Sequence, residues 1–238
     1  MRNDLPNKHT QSVMYHTRVR NCALIMLIAQ TGYRRNTIRQ LNYTGDHQGH
    51  LRGEEAKYVL TVPRSLFKVE DSSYFGPKDS QDGSHIELLD VLGLNDILSE
   101  YLNGSRSYLL NKYFPECKET PLFVSSVISK NPRMSGNRIS NIYLDATGRH
   151  LVENKYRGTG LAHVRPHRPH SARHIRGTTI VKKTGDFQIA GDANQHTECT
   201  ARKYYANFKT NDRNRRVKRR ASIGKHHLLW LMKPRIAF

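Results

Sequence analysis

HVRPHRPHSARHIRGTTIVKKTGD, residues 163–186, carries prolines only in its first half. Proline is tolerated in the first turn of a helix and disfavoured further in, so the stretch predicts a helix from near His170 to Lys183. At the start of that helix stands His170-Ser171-Ala172-Arg173, followed by His174. Residues three apart share a helical face, so His170 and Arg173 can meet one phosphate, and the positive end of the helix adds to their pull on an anion.

Outward from this helix the pattern is mostly helical. Val19, Ala23, Met26 and Leu27 recur at helical spacing over residues 16–30, and Thr31-Gly32 interrupts them before a short second helix over 36–41. The run KYVLTVPRSLFKV at 57–69, β-branched and aromatic with Pro63 and Ser65 in its middle, reads as two short strands or a hairpin. Helices are expected over 86–102 and near 108–113, then a short strand over 122–125 and a helix capped by Ser135 and running to about Ala146. A glycine-rich loop at 157–160 precedes the HSARH helix, and a last helix is expected over 197–207. The fold class is therefore mainly α with a small β-sheet or hairpin.

Lys and Arg number 39 against 20 Asp and Glu, a net charge of +19 on 238 residues, while 37% of the residues are hydrophobic. Such a chain can bury a core and still present a basic surface, which points to nucleic acid as partner. No small-molecule substrate is implied. Cys22, Cys117 and Cys199 are far apart and form no CxxC pair, so neither a zinc ribbon nor a disulfide framework is written here. The apolar stretch at 22–29 is too short to cross a bilayer and the first ten residues lack the apolar core of a signal peptide. The expectation is a cytoplasmic protein with no membrane partner.

Breaking a phosphodiester without a metal needs a nucleophile, cations to stabilise charge on the phosphorane, and an acid for the leaving oxygen. The turn Thr31-Gly32-Tyr33-Arg34 presents a guanidinium where a helix ends, and guanidinium grips an anion bidentately. Tyr204-Tyr205 offers a phenol late in the chain. His163, His167, His170 and His174 have spacings compatible with zinc, but Pro166 and Pro169 interrupt them, no cysteine joins them, and Arg165, Arg168 and Arg173 repel a dication. No metal and no cofactor are expected.

The order TGYR, Lys68 near a hairpin, HSARH, then a tyrosine some thirty residues on resembles the tyrosine recombinase (phage integrase) family. Its catalytic domains carry a TGxR box, a hairpin lysine, an HxxRH box and a nucleophilic tyrosine. The resemblance covers residues 13–208, leaving 209–238 as a basic tail. It implies a site-specific recombinase or integrase that cuts and rejoins DNA through a 3′-phosphotyrosyl intermediate. By the resemblance, Arg34 and Arg173 clamp the scissile phosphate, His170 assists proton transfer, and Lys68 is the acid for the 5′-oxygen. TARKYYA at 200–206 overlays a family ending similar to TTEKHYA, with Tyr205 as nucleophile and Tyr204 as the alternative. A histidine or tryptophan of the family falls here near Asp192 or His196; an aspartate would repel phosphate, which favours His196.

Two departures from the pattern stand out. Thr37 occupies the place of an acidic residue three positions after the first arginine, and Arg35 stands beside Arg34 as a rival. Fewer than twenty residues precede the first predicted helix, so the family's N-terminal DNA-grasping domain is expected to be missing. The competing readings are a catalytically inactive or truncated DNA-binding remnant and a type IB topoisomerase, which shares the chemistry. In the tail, residues 209–225 hold eight Lys or Arg against one Asp, and LLWLM at 228–232 follows. By the resemblance, that apolar patch would dock on a neighbouring protomer of a tetramer on DNA.

Overall fold

In the computed structural model of the chain, which describes residues 12–45, 49–53, 57–67, 84–148, 167–194 and 198–205, the first helix starts where the Ser12 side chain accepts from the Tyr15 N–H at 3.1 Å. This helix, α1 (Val13–Thr31), ends at Gly32, whose φ of 63° lies in the left-handed region that glycine adopts without a Cβ penalty. The Gly32 N–H closes the end onto the Ile28 carbonyl at 2.9 Å. Arg34 then takes an extended conformation, φ −63° and ψ 145°, and caps α2 (Arg35–Gln40). The helix, turn, helix opening read from the sequence is present.

The chain divides into two compact units, Met1–Ile142 and Tyr143–Phe238. In the first, Ala23, Leu24, Leu27 and Ile28 of α1 are fully buried, as are Ile38 and Leu41; each large apolar side chain so buried contributes about 1.5–3 kcal/mol. The sheet is three-stranded and antiparallel in the order β1 (Leu51–Arg52), β2 (Val59–Val62), β3 (Ser84–Glu87). Leu60 and Val62 of β2 face the core at 0% exposure, the alternation of a strand with one buried face.

Here the sequence reading needs correction. Residues 57–69 supply one described strand; after Pro63 the chain enters a 3-10 turn, Arg64–Leu66. The partners of β2 come from either side, Leu51 opposite Leu60 and Ile86 opposite Leu60 on the other edge. Ile86 is therefore in a strand, not a helix: pairing with β2 overrides local propensity. The next helix, α3, spans Leu94–Glu100 and begins only after Gly93 at φ 76°, with the Asp90 carboxylate accepting from the Asn95 N–H at 3.0 Å.

A π-helical turn, Tyr101–Ser105, joins α3 to α4 (Arg106–Tyr113). It carries Tyr101, 0% exposed, whose hydroxyl donates to the Leu122 carbonyl at 2.8 Å and accepts from the Val124 N–H at 3.1 Å. Arg20 donates to the Val124 carbonyl at 2.8 Å and Arg106 to that of Pro121 at 3.0 Å. The expected strand at 122–125 is instead an irregular segment with isolated bridges Asn42↔Pro121 and Val124↔Arg133, because these side chains satisfy its backbone groups. Removing the hydroxyl with Tyr101→Phe leaves two buried backbone groups short of a partner and is expected to cost about 1–3 kcal/mol in urea unfolding. Burial also pushes the Tyr101 phenol from 10.0 up to about 12. The neutral form is the folded one, so this contribution is complete below pH 10 and is lost as the pH rises through about 12; the unfolding midpoint of the Phe variant should fall less steeply over that window.

Helix α5 (Gly136–Ala146) starts where Ser135 Oγ accepts from the Arg138 N–H at 3.1 Å, as the sequence led one to expect. In the second unit α6 (Pro169–Thr184) has proline in its first turn, Lys182 and Lys183 in its last, and Gly185 at φ 71° closing it, a set of signals that places cations at the negative helix end. The Asp186 carboxylate accepts from the N–H groups of Gln188 at 2.6 Å and Ile189 at 3.2 Å and starts α7 (Phe187–Asn194), a helix the sequence reading did not separate. Helix α8 spans Glu198–Tyr205. Phe187, Ala190, Ala201 and Tyr205 form the core of this unit, with Ile180 and Val181 against it. Among the described residues no helix is long and apolar enough to cross a membrane.

Candidate functional site

In the first unit the TGYR turn is held from both sides. Tyr33, 2% exposed, donates its hydroxyl to Ser84 Oγ of β3 at 2.8 Å, and the Tyr33 N–H donates to Thr31 Oγ1 at 3.3 Å. Thr37, where the resemblance leads one to expect an acid, is buried and donates to the Leu66 carbonyl at 3.0 Å. A carboxylate could not make that bond without a proton. Arg34 is thus set on a rigid turn, partly exposed at the head of α2. Its neighbour Arg35 is exposed and reaches Ser140 Oγ at 3.3 Å. Lys68, the expected acid, lies outside the described residues, as does His196.

The second unit brings together the HSARH box and the tyrosine pair. On α6, His170 is exposed and His174 half-buried; their Nε2 atoms are 2.9 Å apart and their rings meet edge to face at 4.5 Å. One Nε2 must carry the proton and the other accept it. Arg173, on the inner face at 2% exposure, donates to the Asn194 carbonyl at the end of α7, and Arg176 donates to that of Ala193 at 2.6 Å. Two guanidinium groups thereby cap the negative end of α7. Burial, followed by the charge of Arg173, lowers the His174 pKa from 6.5, which keeps this imidazole neutral near pH 7.

The two tyrosines differ in burial. Tyr204 is 50% exposed, its ring edge to face with His174 at 5.7 Å. Tyr205 is 1% exposed, its ring 6.2 Å from that of His174, and its hydroxyl accepts from Asn194 Nδ2 at 3.1 Å. Burial raises the Tyr205 phenol pKa, with the charge of Arg173 and the Asn194 bond pulling the other way. The ring lies across α6 at Gly177: a Cβ built there would come under 3.0 Å from the Tyr205 ring and the Asn194 amide.

Asn194, Gly177 and the packing of Tyr205 were not foreseen from the sequence. The available signal was Gly177 itself, since a glycine inside a helix costs about 1 kcal/mol against alanine and often marks close approach of another element. Asp192 is exposed and accepts from Gln188 Nε2 at 2.8 Å along α7. Among the described residues no group of three or more side chains could hold a metal ion.

The described residues are mostly helical with a small three-stranded antiparallel sheet, the fold class expected from the sequence. Solved structures of a recombinase share that fold, among them two of XerH. One is the crystal structure of XerH site-specific recombinase bound to difH substrate, a pre-cleavage complex, with 18% identity, a TM-score of 0.53, and coverage of 94% of this chain and 53% of the other. The second is XerH bound to palindromic difH substrate, a post-cleavage complex, with 18% identity, a TM-score of 0.52, and coverage of 94% and 52%. The present chain spans about half the length of these proteins. No family model matches the sequence, and no curated protein matches it.

Proposed function

We propose that the chain is a site-specific DNA recombinase or integrase of the tyrosine type, acting on double-stranded DNA within a homo-tetramer and without metal or cofactor. His170 accepts the phenolic proton as the Tyr205 oxygen attacks the scissile phosphorus, a P–O bond forms to the phenol oxygen as the P–O5′ bond breaks, and the DNA is held as a 3′-phosphotyrosyl ester. Arg34, Arg173, His170 and His196 stabilise the charge on the phosphorane, and Lys68 gives a proton to the leaving 5′-oxygen. A 5′-hydroxyl from a partner strand reverses the step, so bond energy is kept in the ester.

The observation that carries this reading is that α6 and α8 gather Arg173, His174 and the tyrosine pair into one side of a single unit. The XerH likeness supports the fold on which such chemistry is run. The 1% exposure of Tyr205 favours a second reading, a DNA-binding remnant in which this tyrosine is core. Under the first reading α8 must shift to bring the phenol to phosphorus.

The test is to incubate the protein with a nicked suicide duplex from its own genomic flank, quench in denaturant and look for labelled DNA travelling with the protein. A covalent band is expected. Binding to the duplex with no covalent band at any protein concentration would leave the remnant reading.

A further inference from the structure

Arg35 and Arg39 stand four residues apart on α2, on one helical face. With Asn36 they line a cavity of about 380 Å³ whose remaining lining is Ser135, Gly136 and Asn137 at the head of α5. No carboxylate is among these lining residues, so two like charges four residues apart share one concave surface, a mildly unfavourable pairing that a bound anion would relieve. The Nε of Arg39 is buried and has no hydrogen-bond partner among the described residues, a donor whose desolvation is uncompensated. Arg35 is held along the head of α5 by its bond to Ser140 Oγ at 3.3 Å, and a Cβ on Gly136 would lie 3.6 Å from Arg35 Cδ and Nε. The backbone N–H groups of Gly136 and Asn137 fall in the first turn of α5, where no intrahelical acceptor exists.

We propose that this cavity is a phosphate-binding site distinct from the one proposed around Arg34, which does not line it. The guanidinium groups of Arg35 and Arg39 grip a single phosphate, with Asn36, Asn137 and the first amides of α5 as further donors. Guanidinium pairs match phosphate oxygens in a way a lone ammonium does not. On a chain of net charge +19 the source is the backbone phosphate of a nucleic acid, next to a free phosphate ion as the other possible supplier of the same chemistry. The inference does not depend on strand cleavage, since a protein that only binds DNA would use the cavity equally.

Two measurements test it. In the first, the double variant Arg35→Gln, Arg39→Gln is titrated with duplex DNA of arbitrary sequence over a range of salt. One lost phosphate contact lowers the slope of log K against log salt by about 0.9 and weakens binding similarly for every sequence. In the second, the amide resonances of Gly136 and Asn137 in the unaltered protein are followed as inorganic phosphate replaces chloride at constant ionic strength, and they are expected to shift. Shifting amides together with a reduced slope identify the DNA backbone as source. Shifting amides with an unchanged slope identify free phosphate. Unmoved amides and an unchanged slope overturn the proposal. Should the double variant fail to fold, Arg35→Gln alone, at an exposed side chain, gives the slope. A chain that forms no covalent DNA adduct yet loses the slope in the variant retains this site without the recombinase reading.

Discussion

Tyr205→Phe is expected to reduce covalent capture of a nicked duplex by at least about a thousandfold, on the order of 4 kcal/mol of transition-state stabilisation, while non-covalent DNA binding stays within about twofold because no cation is lost. The substitution removes one oxygen, the atom proposed to attack phosphorus, and phenylalanine has no group to replace it. Tyr205 is also a core residue with its hydroxyl on Asn194 Nδ2 at 3.1 Å, so the variant leaves a buried amide short of a partner at a cost of about 1–3 kcal/mol. Thermal unfolding of the variant must therefore be measured beside capture, and loss of capture counts only in protein that remains folded. Tyr204→Phe supplies the control. Its ring is half exposed, and surface substitutions of this kind stay within about 0.5 kcal/mol. If Tyr204→Phe loses capture and Tyr205→Phe keeps it, the nucleophile is Tyr204 and Tyr205 is packing. That outcome has a physical basis in the structure, because Tyr204 is exposed beside His174, an imidazole that stays neutral near pH 7 and can accept a phenolic proton.

What could be read in advance was local. Proline and glycine punctuation placed the end of α1 at Gly32 and the limits of α6 to within a residue or two, since these residues act on their own backbone, while α1 starts three residues before the expected position, at Val13. The sheet was legible only in part. β2 was read from its β-branched residues, but β1 is two residues long and β3, Ser-His-Ile-Glu, has little β character. Both strands exist because β2 offers them a ladder, information that sits outside their own sequence. Of the site, residue types and spacing brought His170 and Arg173 to one helix, and the pattern of boxes singled out Arg34 and the tyrosine pair. Which tyrosine faces inward was not legible. Two adjacent residues on a short helix differ by about a quarter turn, and the choice is made by Gly177 and Asn194, far from them in sequence.

Gly177 is where the second large effect is expected. In an ordinary helix interior Gly→Ala stabilises by about 1 kcal/mol. Here the sign should reverse, to a net loss of up to about 2 kcal/mol, because the new methyl would sit under 3.0 Å from the Tyr205 ring and the Asn194 amide, and overpacking a close-fitted core costs about 1–3 kcal/mol, which the helix gain of about 1 kcal/mol offsets only in part. Relief by movement is restricted. Asn194 is fixed at the end of α7 by Arg173, its side chain holds Tyr205, and Phe187 and Ala201 pack the same ring from α7 and α8. Urea unfolding of Gly177→Ala, Tyr205→Ala and the double variant forms a cycle in which truncating the tyrosine should remove the ring's share of the cost at Gly177 and leave that of the Asn194 amide, with a coupling of about 1 kcal/mol. A stabilising Gly177→Ala in the presence of Tyr205 would mean that the ring does not rest against α6 in solution. The phenol would then be free of this packing, and α8 would need no shift before attack. A destabilising Gly177→Ala that also raises the rate of covalent capture would show the opposite: the packed ring is the resting state, and dislodging it from α6 is a step on the way to the phosphotyrosyl ester.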